Sequence, residues 1–444
     1  MGEERLILPP PPDRRREAEI LRELADDLGL VLWQDLRHLR AWAEVAERAE
    51  REVAPRGEQA HGRGSQRRTS LGGLFNPSPP EWVLAKRRAA GAASGELVDA
   101  LARFGSVVSA PLSVDRHAVA AACARVVEWA LERELTQTAI EFAEAAALVD
   151  HRSPAMANLA GRVTRNAGET TRAETWFTRA IAFSREQQDA IELTRGHLGY
   201  GILCQDQGRV RCAMRHFNVG ARRARKVGLE WLAAEVQHDI MLLLTVRGRF
   251  ADAEKHARLA LRWYGKRHAR LPLFAADVAL LMVLERNYSL AARLARAALR
   301  HVSAPAARSV ILALHARALA GTGSVGELDW LRRRVVRITA QSGEREAVAL
   351  WHLGHAERLA GDWDASERSA ARALEIAESR RDAETAALAR QLLAAARERR
   401  PGLPPSGRRG DGEFLQFIET LSLRLATWSP DQRQPSSLRA RWAA

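Results

Sequence analysis

Between positions 114 and 400, apolar residues recur at steps of three and four, the spacing that lines one face of an α-helix, and short polar breaks separate the runs. The stretch LAGRVTRNAGETTRAETWFTRAI, residues 159–181, shows the pattern in one unit. Two amphipathic runs flank a polar step, and small residues stand at Gly161, Gly168, Ala173 and Ala180, with Phe177 between the last two. Advancing by 40 residues places Gly201, Gly208, Ala213, Phe217 and Gly220 on the same positions. A second advance gives Met241, Gly248, Ala253, Ala257 and Ala260. A period of this size predicts stacked helical hairpins.

The small residues have two predicted roles. Gly168, Gly208 and Gly248 end a helix and suit the left-handed turn before the next one. The others let two helix backbones approach, with Phe177 or Phe217 filling the volume one turn on.

Further units follow with lower fidelity. Residues 120–148 carry Glu134 at the turn, then Ala139, Ala143 and Ala146. Residues 276–299 keep Ala279, Tyr288, Ala291, Ala295 and Ala298, residues 311–338 form a weaker unit, and residues 349–376 carry Gly354, Gly361, Trp363, Ala370 and Ala373. That makes about seven units, closed by an Ala-rich capping helix over 383–398.

These residues resemble the tetratricopeptide repeat: a small residue on the first helix, Gly at the turn, then Ala, an aromatic and Ala on the second. The period exceeds that family's usual length of about 34 and is similar to the longer arrays of bacterial peptide-responsive regulators and MalT-like activators. The resemblance implies an all-α fold, a right-handed superhelical solenoid of stacked helix hairpins with helical flanks at both ends. It covers residues 114–400.

Around the array, residues 1–16 are expected to be disordered, 17–52 helical, 53–80 a flexible linker, and 81–113 a helical lead-in. After it come a linker at 401–412, an amphipathic helix at 413–428 with Phe414, Phe417, Ile418, Leu421 and Leu425 on one face, and a disordered tail at 429–444. The helix is expected to dock on its own array.

Only 6% of residues are aromatic, and the net charge is +14. The lysines are Lys86, Lys226, Lys255 and Lys266, so 64 of the 68 cations are arginine, a bias that fits a GC-rich bacterial genome. The charge permits an acidic partner by long-range attraction without selecting one. Cys123, Cys204 and Cys212 form no CxxC pair, which predicts reduced thiols in a cytoplasmic protein. The best apolar run, residues 240–246, is far too short for a membrane span.

Chemical motifs are few. GTGSVG, with Gly321, Gly323 and Gly326, follows a helical run rather than a strand and reads as a repeat turn. His352 and His355 stand one turn apart, but HExxH is absent and no metal is expected. RRTS, residues 67–70, is a weak basic-directed phosphorylation pattern. Ala25 and Gly29 resemble the middle of a helix-turn-helix, but Trp33, Leu36 and Leu39 then fall out of step. No acid/base pair, nucleophile elbow or phosphate loop emerges, so neither an enzyme nor a cofactor is expected.

In tetratricopeptide arrays the first helices line the concave surface, and first-helix residues not used for packing become the candidate groove. These are Asn158, Arg162, Arg165 and Asn166; Arg195, Gln205 and Asp206; His238 and Leu242; and Arg317, Trp351, His355 and Arg358. The expected function is a non-enzymatic scaffold or adaptor that binds a protein or peptide, with Arg favouring acidic segments. The alternatives are a transcriptional regulator with a degenerate N-terminal helix-turn-helix and a sensor array, or an accessory subunit of a larger enzyme. Nucleic acid is permitted but not expected as a partner, and no membrane is expected.

Overall fold

The computed structural model describes residues 19–53, 81–111, 113–265, 267–341, 345–402 and 412–429. The expected tails, most of both linkers and the RRTS motif lie outside these residues. Among the described residues every regular element is a helix. In chain order they are α1 (Ile20–Glu23), α2 (Asp27–Val53), α3 (Glu81–Ser94), α4 (Val98–Ser109), α5 (Arg116–Glu132), α6 (Thr136–Val149), α7 (Pro154–Asn166), α8 (Thr170–Glu186), α9 (Ala190–Asp206) and α10 (Val210–Lys226). There follow α11 (Glu230–Val246), α12 (Phe250–Tyr264), α13 (Leu271–Leu284), α14 (Tyr288–Leu299), α15 (Pro305–Gly321), α16 (Leu328–Gln341), α17 (Glu346–Leu359), α18 (Trp363–Ser379), α19 (Ala383–Arg397) and α20 (Gly412–Ala426). The chain divides into two compact units between Gly199 and Tyr200, inside α9.

In the first unit, successive helices from α1 to α8 pack on their neighbours, and α5 also meets α7. The N-terminal helices are built into this unit. Leu28, Val31, Leu32, Leu36, Leu39 and Trp42 bury one face of α2, which packs against α3, α4 and α6. Ala25 and Gly29 sit where α1, a single turn, passes into α2. Glu23 of α1 supplies the cap that α6 lacks locally: its Oε1 accepts from the Gln137 N–H at 2.7 Å, and its Oε2 accepts from the Thr138 N–H at 2.8 Å. Two unsatisfied amides at a helix start are thereby paired by a residue far away in sequence.

The turns explain the glycine spacing. The Gly168 N–H donates to Arg165 O at 2.9 Å and the Glu169 N–H to Thr164 O at 2.8 Å, a Schellman closure with Gly168 at φ +79°. Gly208 and Gly248 close α9 and α11 in the same way, and Glu134 and Arg286 adopt the same left-handed conformation without being glycine. Local capping is conventional elsewhere: Ser153 precedes Pro154 at the start of α7, and Asp362 and Asp382 cap α18 and α19.

In the second unit, consecutive helices from α10 to α19 pack as hairpins, while α11, α13, α15, α17 and α19 also touch in series. The Gln205 Nε2 donates to Glu384 Oε2 at 2.8 Å, so α9 and α19 meet through side chains. Aromatic rings again fill glycine gaps: a Cβ on Gly201 would stand 2.4 Å from the Phe217 ring, and one on Gly321 2.3 Å from the Tyr288 ring. Where the repeat places Met241 instead of Gly, Ala257 stands at the Phe position, and both are buried. Gly323, at φ +82°, turns the chain after α15, so GTGSVG follows a helix.

The C-terminal α20 docks on α12, α13 and α14 through Phe414, Phe417, Ile418, Leu421 and Leu425. Arg424 Nη1 donates to Leu261 O at 2.5 Å and to Gly265 O at 3.1 Å, and Trp428 Nε1 donates to His268 O at 3.1 Å. No described helix is long and apolar enough to cross a membrane.

One expectation is overturned. Cys204 of α9 and Cys212 of α10 are joined in a disulfide, leaving Cys123 as the buried free thiol. Their eight-residue separation spans the hairpin turn, which brings the two Cα atoms to 5.8 Å, a distance the linear spacing did not reveal. A disulfide belongs to oxidising surroundings, so the thiol-based reason for a cytoplasmic location falls away.

Candidate functional site

The nominated residues separate into three environments. In the first unit, Asn158 is buried, and its Nδ2 donates to Glu192 O and to Glu192 Oε2, each at 2.9 Å. This bond ties α7 to α9, so Asn158 is a packing residue. Arg195 Nη1 pairs with Glu192 Oε1 at 2.8 Å, and Arg165 donates to Asn166 Oδ1 at 2.7 Å from Nη2. Asn166 is exposed. Arg162 is half-buried, and burial, with Arg165 and Arg195 nearby, pushes its guanidinium down to about 9, against the pull of Glu192 and Glu128. The Arg, Asn and Glu groups therefore do converge, but they bring their own carboxylate.

The second environment holds His238, Gln205, Asp206 and Leu242. His238 is 1% exposed. Its Nδ1 lies 3.0 Å from the Tyr264 hydroxyl and its Nε2 2.7 Å from Asp277 Oδ2, a network that joins α11, α12 and α13. It is enclosed and does not line an open face. Gln205 is engaged by Glu384, and Leu242 and Asp206 are half-buried. Sequence spacing had no means of finding Tyr264 and Asp277 as the partners of His238, since both come from other helices.

The third environment, between α15 and α17, is chemically distinct. Trp351, His355 and Arg358 follow steps of four and three on α17, which turns them to one face, and α15 packs directly on that helix. Arg317 of α15 lies over the Trp351 ring, 5.0 Å from its centroid. Arg317 is 7% exposed, and its Nε and Nη1 have no hydrogen-bond partner among the described residues. Neither Arg317 nor Arg358 forms an ion pair with a carboxylate among the described residues.

The electrostatics follow from that shortage of negative charge. Burial, with Arg358 adding to it, pushes the Arg317 guanidinium down to about 9. His352 is buried, and burial together with Arg317 holds it well below the usual imidazole range. His355 is lowered in the same way by burial, Arg317, Arg358 and His352, and Arg358 is lowered by burial and by Arg400. Tyr288, the first residue of α14, is the phenol beside both arginines, and burial raises its pKa. His352 and Tyr288 complete this cluster and were absent from the nominated groove. The sequence reads Tyr288 as a repeat residue and expects no metal at His352 and His355.

A buried guanidinium without a counter-charge is costly, by several kcal/mol in real interiors, while stacking on an indole returns about 0.5 to 2 kcal/mol. The cluster is thus a place where an added carboxylate would form charge-assisted bonds. The same cations disfavour a metal at His352 and His355, and no group of His, Cys, Asp and Glu among the described residues has the arrangement of a metal site. No family model matches the chain, and no curated protein matches it.

Proposed function

We propose that this chain is a tetratricopeptide-type helical-repeat scaffold or adaptor that binds a protein or peptide through the first-helix face of its second unit, without catalysing a reaction. The α15–α17 cluster receives an acidic side chain of the partner. The half-buried His355 and Arg358 form its open edge, with the buried Arg317 stacked on the Trp351 ring behind them. The observation that supports this reading is the buried Arg317, stacked on Trp351 and lacking a carboxylate. The contacts of α11, α13, α15, α17 and α19 in series support it further, because helices packed in sequence can share a binding groove.

The test uses fluorescent peptides that carry Asp and Glu, paired with counterparts in which each is Asn or Gln. Wild type should retain acidic peptides and release the amide versions. Arg317→Met combined with Arg358→Gln should lose at least about tenfold in affinity, the scale of one charge-assisted pair. Equal binding of acidic and amide peptides by wild type would overturn the reading.

A further inference from the structure

From residue 207 to residue 229 the chain holds seven cations, Arg209, Arg211, Arg215, Arg222, Arg223, Arg225 and Lys226, and neither Asp nor Glu. This stretch forms α10. Its apolar face of Ala213, Phe217, Gly220, Ala221 and Ala224 is buried. On the opposite face, Arg211, Arg215, Asn218, Arg222 and Arg225 follow steps of four, three, four and three, and all five are exposed. At 1.5 Å per residue they form a straight stripe about 21 Å long.

The stripe is not neutralised from within. Arg211, Arg215, Arg222 and Arg225 form no ion pair among the described residues. Arg222 Nε donates to Asn218 O at 3.4 Å, and Arg225 lies over the Trp263 ring of α12 at 5.5 Å, which joins the stripe to the second helix of the following hairpin. There Arg262 adds a further exposed cation. Several outward arginines elsewhere in the second unit are matched, Arg249 with Asp252, Arg372 with Glu375, Arg390 with Glu378, and Arg397 with Glu367, whereas Arg293, Arg296 and Arg300 of the α14 region and Arg333 and Arg337 of α16 form no ion pair among the described residues. A genome-wide preference for Arg over Lys explains why these cations are arginine. It does not explain why four exposed arginines of one helix line a single face without an acid beside them.

We propose that the exposed face of α10 binds the phosphodiester backbone of nucleic acid without reading base sequence. The chemistry narrows the choice of polyanion. Helices that lie in a membrane interface insert large apolar side chains, and the stripe positions present none. Protein interfaces are anchored by buried aromatic or aliphatic residues at their centre, which the stripe also lacks. What remains is a line of point charges with fork-shaped donors, suited to a linear array of phosphates. A single strand carries a phosphate about every 3.4 Å of axis, so the stripe runs beside about six of them. This surface is on the second helix of its hairpin and does not involve Arg317, Arg358 or the acidic-peptide reading.

The experiment is fluorescence anisotropy of the full chain with two unrelated short duplexes and one single-stranded RNA, from about 50 to about 200 mM salt. Wild type is expected to bind the two duplexes alike, with affinity falling steeply as salt rises; the RNA arm shows which backbone is preferred. Changing Arg211, Arg215, Arg222 and Arg225 together to Gln should weaken binding at least about tenfold at low salt and flatten the log–log salt slope by about 3 to 4, at roughly 0.9 per phosphate contact.

Two further variants separate the stripe from net charge and from misfolding. The same four positions changed to Lys should keep most of the affinity. Arg333, Arg337, Arg368 and Arg372, changed together to Gln, remove equal charge from other helices and should cost less than about threefold. Equal loss in the two Gln variants, loss of binding in the Lys variant, or competition by polyglutamate or phosphatidylserine vesicles as effective as unlabelled duplex at equal charge would each overturn the proposal.

Discussion

The Cδ1 atom of Phe177 lies 2.8 Å from where a Cβ on Gly161 would stand, and Cε1 of the same ring lies 2.3 Å from the corresponding point on Gly199. One ring on α8 is therefore pressed against the bare backbones of α7 and α9. Gly161→Leu should overfill this contact and destabilise the protein by about 1 to 3 kcal/mol. Gly208→Ala has open space around the new methyl but sits at φ +70°, so its cost of about 1 to 2 kcal/mol comes from the backbone. Adding Phe177→Leu should recover part of the first loss and none of the second, as measured by urea denaturation. Recovery in both would refute the assignment of Gly161 to ring packing.

Asp35 of α2 and Arg87 of α3 form a buried ion pair that joins the N-terminal helices. Burial holds the Asp35 carboxyl up at about 7 despite Arg87, against an ordinary value of 3.8. A raised acid contributes fully below its ordinary pKa, and that contribution is lost as pH rises through about 7. Arg87→Met removes the group that pulls this carboxyl down, so Asp35 should be protonated in the variant at neutral pH and the loss should be about 1 to 3 kcal/mol, less than for a stranded charge. The loss should be smaller at about pH 5, where Asp35 of the wild type is protonated as well. A pH-independent loss in chemical denaturation would show that Arg87 acts through packing alone.

His268 is held neutral. Burial, with Arg270 and His238, lowers its pKa to about 3, although Glu235 Oε1 lies 3.5 Å from Nε2. Glu235 is shared with Arg270, and His268 Nδ1 accepts the Arg270 N–H at 3.2 Å, a bond that protonation at Nδ1 would break. Because the folded pKa lies below the unfolded 6.5, the contribution is whole above pH 6.5 and is lost as pH falls from there towards 3. His268→Phe should flatten this part of the stability–pH curve. Since Trp428 bonds to the His268 carbonyl, hydrogen exchange in α20 should rise over the same interval in wild type.

Arg317→Met replaces a buried cation that stacks on Trp351 but forms no ion pair among the described residues. Exchanging such a charge for an apolar side chain of similar volume is neutral or stabilising, so the free energy of unfolding should stay within about 1 kcal/mol or rise. The same variant should lose acidic peptides. A destabilisation of about 3 kcal/mol or more would mean that the fold already satisfies Arg317, and the cluster would lose its claim on a ligand.

Much of the helical order was legible because each unit repeats the same local physics. A left-handed turn needs Gly or a tolerant substitute, and Gly168, Gly208 and Gly248 mark it at equal spacing. The docking of α20 on its own chain was legible from the shared face of Phe414, Phe417, Ile418, Leu421 and Leu425. The cluster at α15–α17 was half legible: helical spacing put Trp351, His355 and Arg358 on one face, but the missing carboxylate depends on which helices lie opposite.

What the chain determined unaided is periodic and local: where helices start and stop, which faces are apolar, and where a small side chain is required. Three- and four-residue steps encode these directly, since they depend on neighbours within one turn or one hairpin. Tertiary structure decided the fate of each polar side chain. Asn158 was drawn to Glu192, His238 to Tyr264 and Asp277, and Cys204 to Cys212, whereas Arg317 met an indole and other cations. Polar side chains carry no periodic signal of their partners, because hydrogen bonds and charges are satisfied across helices brought together only when the apolar faces close.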